Sequence, residues 1–127
     1  MRIVGHGIDI IQLGDVDRRL SSADADWLEA TFSKEEIDLA GPGPHRTEYF
    51  AGHYAAEEAV AKALGTGFSD DVAWLDIEIL KLPTGAPTVR LSGGAKNVAD
   101  ALGVESWVVS IGHSGDYAIA SAIASSG

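Results

Sequence analysis

Residues 46–64 contain six alanines, and the run is fenced by Gly41-Pro42-Gly43-Pro44 before it and Gly65-Thr66-Gly67 after it. Alanine is the best helix former, proline cannot continue a helix, and glycine is the usual left-handed stop. The spacing therefore predicts one long helix over 46–64, with Gly65 just beyond its end. Three charged groups, Glu57, Glu58 and Lys62, lie close together in it. Glu58 and Lys62 are four residues apart and share a helical face. Ala55, Ala56, Ala59 and Ala61 leave small side chains around them, so other segments can approach the helix closely.

The remaining chain divides around that helix. Residues 2–13 are rich in Ile and Val and read as a strand, with Gly5 and Gly7 marking a bulge or a close backbone approach. Alternation puts Ile8 and Ile10 on one face and Asp9 on the other. Residues 15–31 are helical with a break near Ser21-Ser22, and Ser22 or Asp24 is placed to cap the helical segment after the break. Ser33-Lys34-Glu35-Glu36 has the form of a capping box and starts a short helix through Leu39.

Residues 74–82 alternate as a half-buried strand. Pro83-Thr84-Gly85 turns, and residues 87–91 return as its hairpin partner. A helix over 94–102 ends at Gly103. The last two strands are expected at 107–111 and 117–123, joined through Ser114-Gly115-Asp116. Helices segregated from hairpins indicate an α+β fold, with a mainly antiparallel sheet packed against the long helix.

At 127 residues, 46% hydrophobic and 22% charged, the chain reads as a single folded domain over residues 1–127. It has no cysteine, which excludes disulfides and thiolate metal sites. A net charge of −10 argues against nucleic acid or an anionic membrane as partner. The first thirteen residues, MRIVGHGIDIIQL, are too short and too interrupted for a transmembrane span or signal peptide, so cytoplasmic residence is expected.

Asp9 is out of place in an apolar strand, where a carboxylate must be solvated, paired or bound to a cation. Mg²⁺ takes one or two carboxylates together with substrate phosphate oxygens and waters. Asp9 and Glu58 could supply the carboxylates while Lys62 meets the phosphate. An exposed Glu58–Lys62 pair is the plainer alternative. Gly65-Thr66-Gly67 could offer backbone N–H groups to a phosphate, and a simple helix end explains it equally well. His113 closes a strand, where a histidine is more often exposed or hydrogen-bonded than a ligand. The four histidines show no zinc spacing, and no nucleophile elbow, Walker loop or dinucleotide fingerprint occurs.

Taken in order, GIDI (7–10), AGHYAAEEAVAKALGTG (51–67), DIEIL (76–80), GAP (85–87) and SIGHSGDYAIA (110–120) resemble the small, single-domain holo-[acyl-carrier-protein] synthases. These are 4′-phosphopantetheinyl transferases, and the resemblance runs over nearly the whole chain. It implies Mg²⁺-dependent transfer of phosphopantetheine from coenzyme A to a serine of an apo acyl carrier protein, in fatty acid or polyketide biosynthesis, with release of 3′,5′-ADP. It also implies a homotrimer with active sites between neighbouring protomers. Asp9 and Glu58 would be the metal ligands, and Lys62 would bind the pyrophosphate. Glu58 or a metal-bound water would accept the serine proton. Gly65, Pro87 and His113 would help form the coenzyme A pocket, His113 from a neighbouring protomer in one arrangement. Arg18 and Arg19 would contact the carrier.

The sequence departs from the family pattern at five positions. Glu57 stands for a lysine, His53 and Asp15 for arginines, Ala86 for a basic residue and Gly112 for a serine. Four of these changes remove positive charge and two add negative charge, which weakens attraction for polyanionic coenzyme A and favours a less acidic carrier. The alternative reading is a non-catalytic or repurposed trimeric relative that no longer binds coenzyme A. A Mg²⁺-dependent phosphohydrolase on the same carboxylates is a third.

Overall fold

The computed structural model describes residues 1–21 and 26–127. In chain order these form β1 (Arg2–Gln12), α1 (Leu13–Ser21), α2 (Asp26–Thr31), α3 (Lys34–Ala40), α4 (Arg46–Ala63), β2 (Ile77–Lys81), β3 (Pro87–Leu91), α5 (Gly93–Leu102), β4 (Ser106–Ser114) and β5 (Tyr117–Ser126). The expected cap at Ser22 or Asp24 lies outside the described residues. The α+β class and antiparallel pairing agree with the sequence reading. β1, β5 and β4 form one sheet in that order, and β2 pairs with β3 in a separate hairpin.

α4 runs through the middle of the molecule. From Phe50 to Leu64 every residue except Tyr54, Glu58 and Lys62 is buried. A helix enclosed on nearly all sides needs an apolar surface all round, and its alanines supply one without bulk. The inner face of β5 answers in kind, with Ala118, Ala120, Ala122 and Ala124 all buried.

β1 comes closer still. A Cβ on Gly7 would lie 1.9 Å from the Ala59 carbonyl oxygen, and one on Gly5 would lie 1.9 Å from that of Ala63. The strand therefore rests on the helix backbone itself. Both sequence signals in this stretch are realised, because the β1–β5 register also shifts between Ile3 and Gly5.

Ser33 caps α3, with its hydroxyl accepting from the Glu36 N–H and Glu36 Oε1 accepting from the Ser33 N–H. α4 ends in a glycine stop, Gly65 at φ +81°. The strand expected over 74–82 is shorter than the alternation suggested. Trp74–Asp76 form a 3₁₀ turn, and β2 starts only at Ile77. Asp76 explains the change. Its Oδ2 accepts from the Ala73 N–H at 3.1 Å and from the Ala95 N–H at 3.3 Å, so it fixes the turn and caps α5. The last two strands run longer than expected because β5 pairs along its length with both β1 and β4.

Gly7→Ala is expected to lose about 3 kcal/mol or more of stability through overpacking against backbone that cannot yield. Gly112→Ala, whose new Cβ would meet Ile119 Cγ2 at an ordinary 3.5 Å, should change it by less than about 0.5 kcal/mol. Urea unfolding of the two variants checks the contrast.

Candidate active site

The contact of β1 with α4 positions the chemistry. Alternate residues of β1 face the helix, Gly5 over Ala63 and Gly7 over Ala59. Asp9 is the next inward residue after Gly7, and its carboxylate acts on Glu58. Lys62 Nζ donates to Asp9 Oδ1 at 3.1 Å and to the Ile8 carbonyl at 3.0 Å. The i,i+4 spacing correctly places Lys62 on the face of Glu58, but its ion pair is with the strand.

Glu58 is half-buried, and its pKa is raised, first by burial and then by the Asp9 carboxylate, with Lys62 opposing. Two carboxylates that repel one another beside a single ammonium make a site that a divalent cation would relieve. Among the described residues no third His, Asp or Glu joins them to form a larger cluster. A two-carboxylate set suits Mg²⁺, which completes its shell with water and substrate oxygens.

Tyr54, Glu58 and Lys62 form the one open stripe along the buried part of α4. Tyr54 did not emerge from the sequence, although its place four residues before Glu58 was a signal that could have found it. Its ring stacks on Trp74 at 4.8 Å between centroids and meets Trp27 at 6.2 Å. The phenol pKa is raised, first by burial and then by Glu58. Tyr54 also lines a cavity of about 480 Å³ together with Ile11, Val16, Trp27 and the two candidate carrier contacts, Arg18 and Arg19. Arg18 is paired with Asp15, and Arg19 lies over the Trp27 ring.

Pro87 and His113 are brought together elsewhere. They line a second cavity of about 270 Å³ with Tyr49, His53 and Lys81, and neither Asp9, Glu58 nor Lys62 reaches it. His113 Nε2 lies 2.9 Å from the Glu48 carbonyl oxygen. Gly65 lines neither cavity. Its amide donates to the Lys62 carbonyl and that of Gly67 to the Ala61 carbonyl, so both are used in ending α4. Of the two readings of Gly65-Thr66-Gly67, these amides favour the simple helix end.

Glu57 faces the other way, into the interior. It is fully buried, and neither carboxyl oxygen has a hydrogen-bond partner if both it and Glu36 are ionised. Glu36, also fully buried, receives His53 Nδ1 on Oε2 at 3.1 Å. Burial, followed by the neighbouring Glu36, holds the Glu57 pKa well above the carboxylate range. A proton on Glu57, donated to Glu36, satisfies the pair. The added negative charge expected of this residue is thus not displayed toward a ligand. Of the two acidic replacements, Asp15 alone is exposed. Glu36 left no functional signal in the sequence, because its partners lie 17 and 21 residues further on in another helix.

The family model for the 4′-phosphopantetheinyl transferase superfamily matches residues 5–122. The chain belongs to this superfamily. It is 41% identical over 122 residues to the holo-[acyl-carrier-protein] synthase of Alkaliphilus oremlandii, covering 96% of this chain and 98% of that one. The fold superimposes on the Helicobacter pylori holo-[acyl-carrier-protein] synthase solved with coenzyme A, with a TM-score of 0.84 at 32% identity, covering 94% and 99% of the two chains. A Bacillus anthracis holo-(acyl-carrier-protein) synthase solved with CoA (3′,5′-ADP) gives a TM-score of 0.81 at 33% identity, over 98% of each chain.

The Glu57 proton has a consequence for pH dependence. A carboxyl whose folded pKa is raised gives stability that is fully present below its unfolded value, near 4.5, and is lost as pH rises through the folded value. Glu57→Gln keeps a donor toward Glu36 without an ionisable proton. Its unfolding free energy should fall less steeply than that of the unsubstituted chain from pH 4.5 upward, as read from denaturant titrations across pH.

Proposed function

We propose that this chain transfers 4′-phosphopantetheine from coenzyme A to a serine of an apo acyl carrier protein, with Mg²⁺, and releases 3′,5′-ADP. The supporting observation is the half-buried Asp9–Glu58 pair, with Lys62 bonded to Asp9 and with Glu58 and Lys62 on the one open stripe of α4. Phosphoryl transfer asks a protein chiefly for position and charge stabilisation, and this arrangement offers both.

Asp9 and Glu58 would hold the Mg²⁺, which when bound neutralises charge on the pyrophosphate. Lys62, about half-exposed, turns its ammonium from Asp9 to the pyrophosphate oxygens once the carboxylates are otherwise engaged. Glu58, or a water beside it, would take the proton of the attacking serine. The serine oxygen bonds to the phosphorus that carries pantetheine. The pyrophosphate P–O bond breaks, and its electron pair leaves on 3′,5′-ADP.

Pro87, His113 and Gly65 would line the coenzyme A pocket, and the separation of Pro87 and His113 from Lys62 within one chain supports a pocket completed by a neighbouring protomer. The outer face of the three-stranded sheet supports the same homotrimer. Ile8, Ile10, Val108 and Ile119 are 53%, 60%, 59% and 42% exposed there, large apolar side chains of the kind that an interface covers. Arg18 and Arg19 would meet the carrier. Among the described residues no helix is long and apolar enough to cross a membrane, and we assign the protein to the cytoplasm, in fatty acid or polyketide synthesis.

Incubation with Mg²⁺, coenzyme A and a panel of apo carriers should add phosphopantetheine to at least one carrier, read by mass. Lys62→Ala should lower kcat/KM by roughly 10²–10³-fold. Calorimetry should show metal-dependent coenzyme A binding that Asp9→Ala and Glu58→Ala both abolish. A protein that binds no coenzyme A with Mg²⁺ present would instead be the non-catalytic relative.

Ile10→Glu places a charge on the apolar sheet face. Sedimentation should show a trimer for the unsubstituted chain and a monomer for the variant, with transfer activity lost alongside assembly.

A further inference from the structure

We propose that acid takes the homotrimer apart through His6, which stands in the outer face of the three-stranded sheet and is covered, as a neutral ring, when copies meet there. The proposal rests on the homotrimer reading and adds a control to it.

The contact of β1 with α4 decides where this imidazole points. Gly5 and Gly7 both turn toward the helix, so the residue between them turns away from it, as Ile8 and Ile10 do. His6 is exposed in the single chain. The strand register then carries the face across the sheet. His6 lies opposite Ile123 of β5, and Ile123 lies opposite Val108 of β4. The rows that follow are Ile8, Ser121 and Ser110, then Ile10, Ile119 and Gly112. A second copy seated on Ile8, Ile10 and Val108 covers the imidazole with them.

Among the described residues no carboxylate on this face can hold a charge on the ring. Asp9 turns to the helix side, where Lys62 binds it and Glu58 feels it. α1 starts beyond Gln12, about 20 Å along the strand, and keeps Asp15, Asp17, Arg18 and Arg19 at that end. Tyr117 of β5 is opposite Gln12, equally far away. On β4, His113 is tied to the Glu48 carbonyl, and Glu105, just before the strand, accepts from the Gly127 N–H. Arg2 lies beyond the register shift and brings only more positive charge. A neighbouring copy presents the same face. A protonated ring covered there would sit among isoleucine, valine and serine without a counter-ion, which costs far more than covering a neutral one.

The sign follows from linkage. A free imidazole takes up its proton near about pH 6.5. Above that pH the copies meet with neutral rings, whereas below it each chain must give up a proton to assemble, so trimer stability is lost as pH falls. With one ring from each of three chains, the dissociation constant can rise by up to about a thousandfold for each pH unit. The net charge of −10 predicts the reverse, because acid weakens repulsion between copies.

Sedimentation of the unsubstituted chain across a concentration series should give a dissociation constant roughly a hundredfold or more higher at about pH 5.5 than at about pH 7.5. Circular dichroism should show the chain still folded at the lower pH. His6→Gln, polar but neutral at both, should assemble equally well at both, and His6→Leu likewise. An unsubstituted trimer equally tight at the two pH values overturns the proposal. So does acid dissociation that persists in both variants, which puts the proton on another group, or loss of the fold at the lower pH. A chain that is monomeric at every pH overturns the homotrimer reading and this proposal with it, whereas a trimer indifferent to acid overturns the proposal alone.

Discussion

The contact between the backbones of β1 and α4 is the constraint on which the rest depends. It exists because Gly5 and Gly7 carry no Cβ where one would strike the carbonyls of Ala63 and Ala59. Side chains of ordinary size between strand and helix would hold them about 10 Å apart. Removing that layer lets Asp9 Oδ1 and the Ile8 carbonyl both reach Lys62 Nζ. The same approach buries Asp9 enough for it to act on Glu58. The glycines are structural residues, and the spacing of the charged groups depends on them.

The opposite side of α4 resolves the charge changes differently from what composition suggests. A helix this enclosed has two kinds of position, and Glu57 occupies a closed one only about 100° around from open Glu58. There it meets Glu36 as a protonated acid, while His53, stacked on Tyr49 at 4.0 Å, also lies against the Glu36 carboxylate. The lysine expected at 57 would face Glu36 as its counter-ion. Both solutions fill one interior space beside α3 and β2. A change that reads in sequence as a reversed surface charge is an exchange of one way of satisfying a buried carboxylate for another.

Local signals were legible where local physics decides. The limits of α4, the Ser33 capping box, the Gly65 stop and the side of β1 that carries Asp9 can all be read from spacing and backbone preference. Trp74 and Leu75 show the limit of such reading. Their alternation has the strand pattern, yet Asp76 is claimed by amides at Ala73 and Ala95, the latter nineteen residues beyond it, and the turn wins. Pairing of β1 with β5 brings Arg2 opposite Ser126, a union of the two ends that no nearby residue encodes. Of the candidate site, the proximity of Asp9, Glu58 and Lys62 could be expected in advance because a carboxylate in an apolar strand and an i,i+4 pair are visible anomalies. Tyr54 was hidden, because an aromatic residue on a helix reads as core until the burial of every neighbour shows that it is not.

The two cavities differ in what a single chain can complete. The cavity at Tyr54 adjoins the carboxylates through one helical stripe, so its relation to the chemistry is fixed within the protomer. The cavity at Pro87 and His113 lies toward the other end of α4, where His113 is tied to the Glu48 carbonyl. An ammonium near residue 62 and an imidazole anchored near residue 48 are separated by about four turns, roughly 20 Å along the helix. In the transferase proposed above, one coenzyme A molecule served by both groups would be bound across two copies, with Lys62 from one and His113 from the next. The apolar outer face of the sheet would give those copies a surface on which to meet. On this reading the small side chains that draw β1 onto α4 inside each protomer, and the isoleucines left outside it, serve a single arrangement. Inward glycines set the charges, and in the proposed homotrimer the outward isoleucines of the same strand would bring the second half of the pocket to them.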